Sequence, residues 1–182
     1  MAGTLLFLRQ LLLHPREVAA IAPSSRGLAR AMARGLGPGQ RVVEFGPGTG
    51  RLTEGILAAG VRPQDLVLIE MNPDFARHLA LRFPGVTVVL GGAETVAQHV
   101  APGVSAVISG LPLLSMPVPV RTAIVGAAFQ VLAPAGRYIQ FTYGPASPLP
   151  EEEMRALGLS VMKGERIWWN MPPATVYRFQ RG

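Results

Sequence analysis

A chain of 182 residues, 49% hydrophobic and 15% charged, is long enough for one domain with a substantial core. It has no cysteine, which argues against a disulfide-built fold and a thiolate metal site, and its three histidines (His14, His78, His99) show no ligand spacing. The formal charge of +6 is uneven: residues 1–41 hold six arginines and one acid, Glu17, for +5 of it, so the N-terminal region should meet nucleic acid or an anionic membrane.

The first element runs from Thr4 to Leu13, apolar almost all round with Arg9 and Gln10 at its centre. The arginine interrupts the run, unlike a secretory signal, and the stretch is too short to span a bilayer. It reads either as a helix in a membrane interface, leucines down and Arg9 up, or as a helix packed on its own domain. Arg16 to Ala22 continues to Pro23, and Ser24 and Ser25 then stand where a helix N-cap belongs. In the next helix Arg26, Arg30 and Arg34 form a basic stripe, and Leu28, Met32 and Leu36 an apolar one. Beside a leucine-rich helix, such a basic stripe suits anionic lipid. Residues 1–40 are therefore expected to be amphipathic membrane-docking helices and a cap, with the main domain over 41–182.

That domain opens on Arg41-Val-Val-Glu-Phe-Gly-Pro-Gly-Thr-Gly50: a strand over Arg41–Phe45, a glycine turn, then a helix over Thr49–Ala59. Glycines there allow positive φ and close approach of a ligand to backbone. The spacing is Gly-x-Gly-x-Gly rather than the dinucleotide Gly-x-Gly-x-x-Gly. Glu44 precedes the turn, and Glu70 ends the next apolar run, where it could take both hydroxyls of a ribose. Further strands are predicted at Leu66–Glu70, Val86–Leu90, Val104–Ser109 and Arg137–Thr142, with helices at Pro73–Arg82, Glu94–Val100 and Val120–Leu132. Continuous apolar strands alternating with helices predict a doubly wound parallel sheet, with ligands at the carboxyl ends of its strands. Ala101 to Val120 lacks charge, but its prolines and glycines predict a buried strand and a site loop rather than a membrane span. Strands at Glu165–Asn170 and Thr175–Arg181 close the chain. Trp168 and Trp169 alternate faces there, one towards the core and the other free to line the site or touch lipid.

The Glu-Phe-Gly-Pro-Gly-Thr-Gly string resembles the first motif of Rossmann-like class I methyltransferases. The C-terminal hairpin is similar to the end of their seven-stranded, mostly parallel sheet with its antiparallel C-terminal strand. The resemblance implies S-adenosyl-L-methionine as cofactor and S-adenosyl-L-homocysteine as product. It places the cofactor on Glu44, Gly46, Pro47, Gly48, Thr49, Gly50, Glu70, Met71 and Ser109, and on Gly92, Ala93 and Glu94. Glycine stands in the usual aspartate position of that last loop. Either Glu94 replaces the aspartate, or backbone amide and apolar contact hold the adenine.

After the fourth strand, methyltransferases of exocyclic base amines have Asn or Asp, then Pro-Pro or Leu-Pro, then an aromatic that stacks on the base. This chain has Ser109-Gly-Leu-Pro-Leu-Leu114, with Leu113 in the aromatic place. A relation to ribosomal RNA adenine dimethylases is visible without their base-reading residues. Together with Ala22-Pro-Ser-Ser25, Phe141-Thr-Tyr-Gly-Pro145 and Asn170-Met-Pro-Pro-Ala174, the chain resembles the small bacterial phospholipid N-methyltransferases. That family implies stepwise methylation of phosphatidylethanolamine to phosphatidylcholine by a cytoplasmic enzyme, peripheral on the inner face of the membrane. A phospholipid substrate, an anionic membrane surface, no nucleic acid and a monomer are expected. Ribosomal RNA or other nucleic-acid adenine N-methylation is the alternative. Tyr143, whose ring could also face a methylated ammonium, and Ser109 with the Gly110 and Leu111 carbonyls are candidates to accept the amine's proton or pass it to water. The Ser24-Ser25 turn or an N-terminal arginine suits the lipid phosphate, and Arg9, Arg16, Arg26, Arg30 and Arg34 the membrane.

Overall fold

The computed structural model describes residues 25–143 and 146–182, so the Thr4–Leu13 element and the expected lipid contacts Arg9, Arg16 and Ser24 lie outside the described residues. Seven strands form one sheet: β1 (Val42–Phe45), β2 (Leu66–Glu70), β3 (Thr87–Leu90), β4 (Val104–Ser109), β5 (Leu132–Thr142), β6 (Leu159–Ile167) and β7 (Ala174–Arg181). Their order is β3-β2-β1-β4-β5-β7-β6. β1 pairs in parallel with β2 and β4, while β7 runs antiparallel between β5 and β6. The helices are α1 (Arg26–Met32), α2 (Arg51–Ala58), α3 (Pro73–Arg82), α4 (Val118–Val131) and α5 (Glu151–Ala156). This is the Rossmann-like α/β architecture of class I methyltransferases, with its antiparallel C-terminal strand. Among the described residues no helix is long and apolar enough to cross a membrane.

The sheet has a core on each face, because its central strands are buried on both sides. On one face Leu28 and Met32 of α1, Ile56 of α2 and Leu79 of α3 pack on Val42, Leu66 and Leu68. Here α1 and α2 approach closely: a Cβ on Gly55 would lie 2.8 Å from that of Ala29. On the other face Val43, Phe45 and Val107 meet Ile124, Val125 and Ala128 of α4. The expected stripes on α1 are present in part: Leu28 and Met32 are buried and Arg26 and Arg30 exposed, but the helix ends at Met32, so Arg34 (exposed) and Leu36 (half-buried) stand in the turn beyond it.

Besides α1, several elements differ from the sequence reading; β5 begins at Leu132, read as the end of a helix, rather than at Arg137. The stretch read as a helix over Glu94–Val100 is a 3₁₀ turn, Ala93–Gln98. β6 begins at Leu159 rather than Glu165, because an exposed edge strand needs no apolar alternation, and it ends before Trp168. α5 has the pattern Glu151-Glu-Glu-Met-Arg-Ala156 without a buried residue, so it gives no apolar period.

The register decides what meets at the carboxyl end of the sheet. Thr142, ending β5, pairs with Thr175 at the start of β7, so the connection over residues 168–173 emerges next to the end of β5, at the same end of the sheet as the loops that follow β1, β2 and β4.

Candidate active site

The glycine loop is built by backbone geometry. Gly46 and Gly48 have φ of 63° and 54°, and a Cβ on Gly46 would sit 2.5 Å from Leu111 Cδ2. Gly46 is thus the point where the loop after β1 touches the loop after β4. Gly48 N donates to Glu70 Oε2 at 3.1 Å, and Asn72 N donates to Glu70 Oε1 at 2.9 Å. Asn72 in turn caps α3, its Oδ1 accepting from Asp74 N at 2.9 Å. The Glu70 carboxylate therefore braces the glycine loop and the entry to α3, and lone pairs remain for a ligand.

Glu44, expected on the cofactor, does not line the cleft. Strand alternation turns it to the α2 face, where it is fully buried and its Oε2 accepts from Thr53 Oγ1 at 2.7 Å. Burial pushes its pKa up to about 8, the Thr53 hydroxyl pulling the other way. Glu44 anchors the start of α2 behind the glycine loop. Its second oxygen, Oε1, is buried with no hydrogen-bond partner among the described residues.

A cleft of about 480 Å³ opens between these loops and α4. Gly46, Ile69, Glu70 and Met71 form its floor and one side, Gly91 to Glu94 the far side, and Leu111, Met116, Pro119, Val120, Ala123 and Ile124 an apolar wall. The Glu94 carboxylate folds back over Gly92, in the space a Cβ would take there, and as the end of an exposed side chain it is free to swing away. An apolar slot with Glu70 at one end and Glu94 at the other fits a nucleoside, with a planar ring between the walls and acceptors for hydroxyl and amino groups. Of the expected cofactor contacts, Gly46, Glu70, Met71, Gly92, Ala93 and Glu94 line the cleft, whereas Pro47, Gly48, Thr49 and Gly50 shape the turn behind it.

The acceptor loop is held from beneath. Ser109 is fully buried and its Oγ accepts from Leu111 N at 3.3 Å, so it holds the loop instead of reaching cofactor or amine as expected. The Leu111 carbonyl, an expected amine acceptor, already accepts from Gln140 Nε2 at 2.9 Å. Gly110 remains, pressed so closely that a Cβ would lie 2.9 Å from Gly46 O. Leu113, in the aromatic place, is buried in the core and offers no stacking surface. Tyr143 packs edge-on against Phe141, ring centroids 5.3 Å apart, at the end of β5 outside the cleft lining. Burial raises its phenol pKa.

The Ser25 hydroxyl accepts from Leu28 N at 3.1 Å and its amide donates to Asn170 Oδ1 at 2.9 Å. The amide and the hydroxyl oxygen both serve the fold, which leaves Ser25 only its O–H to offer an anion. Arg34 is engaged with Glu165 at 3.0 Å, leaving Arg26 and Arg30 as the open part of the stripe.

Two residues escaped the sequence reading. Arg121, the single charge of α4, is buried, pairs with Glu153 through Nε at 2.8 Å, and donates from Nη1 to Leu113 O at 3.2 Å. Gln140 fixes Leu111. A lone arginine in a long apolar stretch was the available signal for the first; a strand glutamine gave none.

No protein-family model matches the chain. An ornithine lipid N-methyltransferase from Singulisphaera acidiphila is 36% identical over 151 residues, 77% of this chain and 78% of that one. Among solved structures, a TehB-like SAM-dependent methyltransferase from Corynebacterium glutamicum matches with a TM-score of 0.68 at 16% identity, covering 96% of this chain and 98% of that one. A glycopeptide N-methyltransferase complexed with S-adenosylmethionine matches with a TM-score of 0.67 at 14% identity, covering 87% and 95%. At such identities the structural likenesses establish the fold.

Proposed function

We propose that this chain, which belongs to the family of the ornithine lipid N-methyltransferase, transfers methyl groups from S-adenosylmethionine to the primary amine of a membrane lipid. The observation that carries the acceptor class is Leu113: a buried leucine stands where base-modifying enzymes present an aromatic ring, so an extruded base finds nothing to stack on.

When bound, S-adenosylmethionine supplies an electrophilic methyl group on a sulfonium. Glu70 takes the ribose hydroxyls with the lone pairs that Gly48 and Asn72 leave open. Glu94 takes the adenine amino group across Gly92, in place of the usual aspartate. The apolar wall from α4 excludes water, so positioning supplies most of the rate. The acceptor amine would have to arrive neutral, and the extra proton of the methylated ammonium would leave for solvent. The Gly110 carbonyl and Tyr143, both beyond the cleft lining itself, are the groups proposed to meet the amine. A phenol whose pKa is raised by burial stays protonated, so Tyr143 positions the amine by hydrogen bond and ring face instead of removing its proton.

Phosphatidylethanolamine is the acceptor that the Ser-Gly-Leu-Pro-Leu-Leu string implies. A second reading, ornithine lipid, is favoured by the 36% identical relative. Both headgroups end in a primary amine. Incubation with methyl-labelled cofactor and vesicles holding either lipid, alongside ribosomal RNA, tests both. Label should enter the lipid extract; label confined to RNA overturns the proposal, and label in ornithine lipid alone replaces phosphatidylethanolamine.

A further inference from the structure

We propose that the carboxyl end of the sheet lies flat on an anionic bilayer, with the turn over residues 168–173 inserted as its anchor. The choice of a lipid surface as partner rests on the lipid-acceptor reading above; the surface itself is marked by three features of the fold.

The first is distribution. Of the eleven exposed large apolar residues among those described, eight stand at this end. Met71 and Leu90 terminate or follow β2 and β3, Leu114 follows β4, and Val118 and Val120 open α4. The remaining three belong to the turn. Scattered exposed leucines are ordinary, but apolar residues collected at one end of the sheet, two of them (Met71 and Val120) lining the cleft, mark an interaction surface.

The second is rigidity. Trp168, Trp169 and Met171 are 67%, 96% and 84% exposed, yet the residue between them is 3% exposed. That residue, Asn170, accepts from Ser25 N at 2.9 Å and donates through Nδ2 to Pro172 O at 2.8 Å. A buried polar clamp thus fixes the turn and points three large apolar side chains at solvent, where each costs free energy unless something covers it.

The third is charge. The Arg166 guanidinium lies 4.5 Å from the Trp168 ring centroid. Arg26 and Arg30 are exposed on α1, the helix whose capping residue is tied to Asn170. Tryptophan backed by arginine suits the headgroup layer, with the indole in the interface and the guanidinium on phosphate. A protein groove would satisfy the rings but not this basic border. In this pose the cleft mouth opens onto the headgroups.

The chain's two tryptophans are both in this turn, so intrinsic fluorescence reports on it alone. The full chain is mixed with phosphatidylcholine vesicles, with or without phosphatidylglycerol, carrying brominated acyl chains. Anionic vesicles should shift the emission to the blue and quench it; neutral ones should do so weakly. Replacing both residues (Trp168→Ser, Trp169→Ser) should lower partitioning to anionic vesicles, measured by flotation, by on the order of tenfold or more. Methyl transfer to detergent-dispersed lipid should persist in the variant. Vesicle binding without change in emission or quenching would assign docking to residues 1–24 alone and overturn the inference. Emission that is already blue and unquenchable would mean those residues cover the turn, and no binding would mean the partner is not an anionic bilayer. Quenching without any transfer to dispersed lipid would instead overturn the lipid-acceptor reading and leave the docking surface standing.

Discussion

Glu70 shows how one carboxylate serves fold and ligand together. Two backbone amides occupy part of its acceptor capacity, and the cleft receives the rest. Glu70→Ala should weaken S-adenosylmethionine binding by roughly 1.5–3 kcal/mol, read by calorimetry, with the domain still folded. Glu44 answers to pH instead. Its usual value of 4.5 holds in the unfolded chain, whereas burial raises it to about 8 in the fold. Between those values the folded state keeps a proton that the unfolded state releases. Its contribution is therefore full below pH 4.5 and is lost as pH rises towards 8, with a slope on the order of 1 kcal/mol per pH unit. Glu44→Gln keeps an acceptor for Thr53 and has no proton to lose. Urea midpoints at pH 5 and pH 8 should diverge for the natural chain and converge for the variant. The sequence located both glutamates at strand ends, but not that one faces the cleft and the other α2. A four-residue strand entirely buried carries no alternation from which to read its two faces.

Among the elements, α4 is joined to α5 and to the acceptor loop through one side chain. Arg121 binds Glu153 with two nitrogens and the Leu113 carbonyl with a third, in a site where both charged partners are largely buried. Arg121→Ala strands a buried glutamate and should cost about 3–5 kcal/mol in chemical denaturation, whereas replacing Arg121 and Glu153 together with Met should cost less. The central strands were legible because β2 and β4 are unbroken apolar runs. β6 and α5 were not, since an exposed edge strand and a surface helix bury too little to impose a period. The Arg121–Glu153 pair was beyond local pattern for another reason: 32 residues separate its members, and the fold alone brings them together.

At the scale of the molecule, alternation of strand and helix made the doubly wound sheet legible, and the lopsided charge drew attention to the N-terminal region. The second basic contribution, Arg166 on the far hairpin, was hidden because nothing in the sequence ties residue 166 to α1. Sheet order has a further consequence, for how the chain is made. β7 lies between β5 and β6, and among the described residues β6 pairs with no strand except β7. Until residues 174–181 have left the ribosome, β5 shows a bare edge and β6 has no neighbour. The first five strands can pair as they emerge, each beside one already made, but β6 must wait, and the last two ladders close together when β7 enters between β5 and β6. A growing chain with an open hydrophobic edge is the form most prone to aggregate, and so the one with most need of a chaperone.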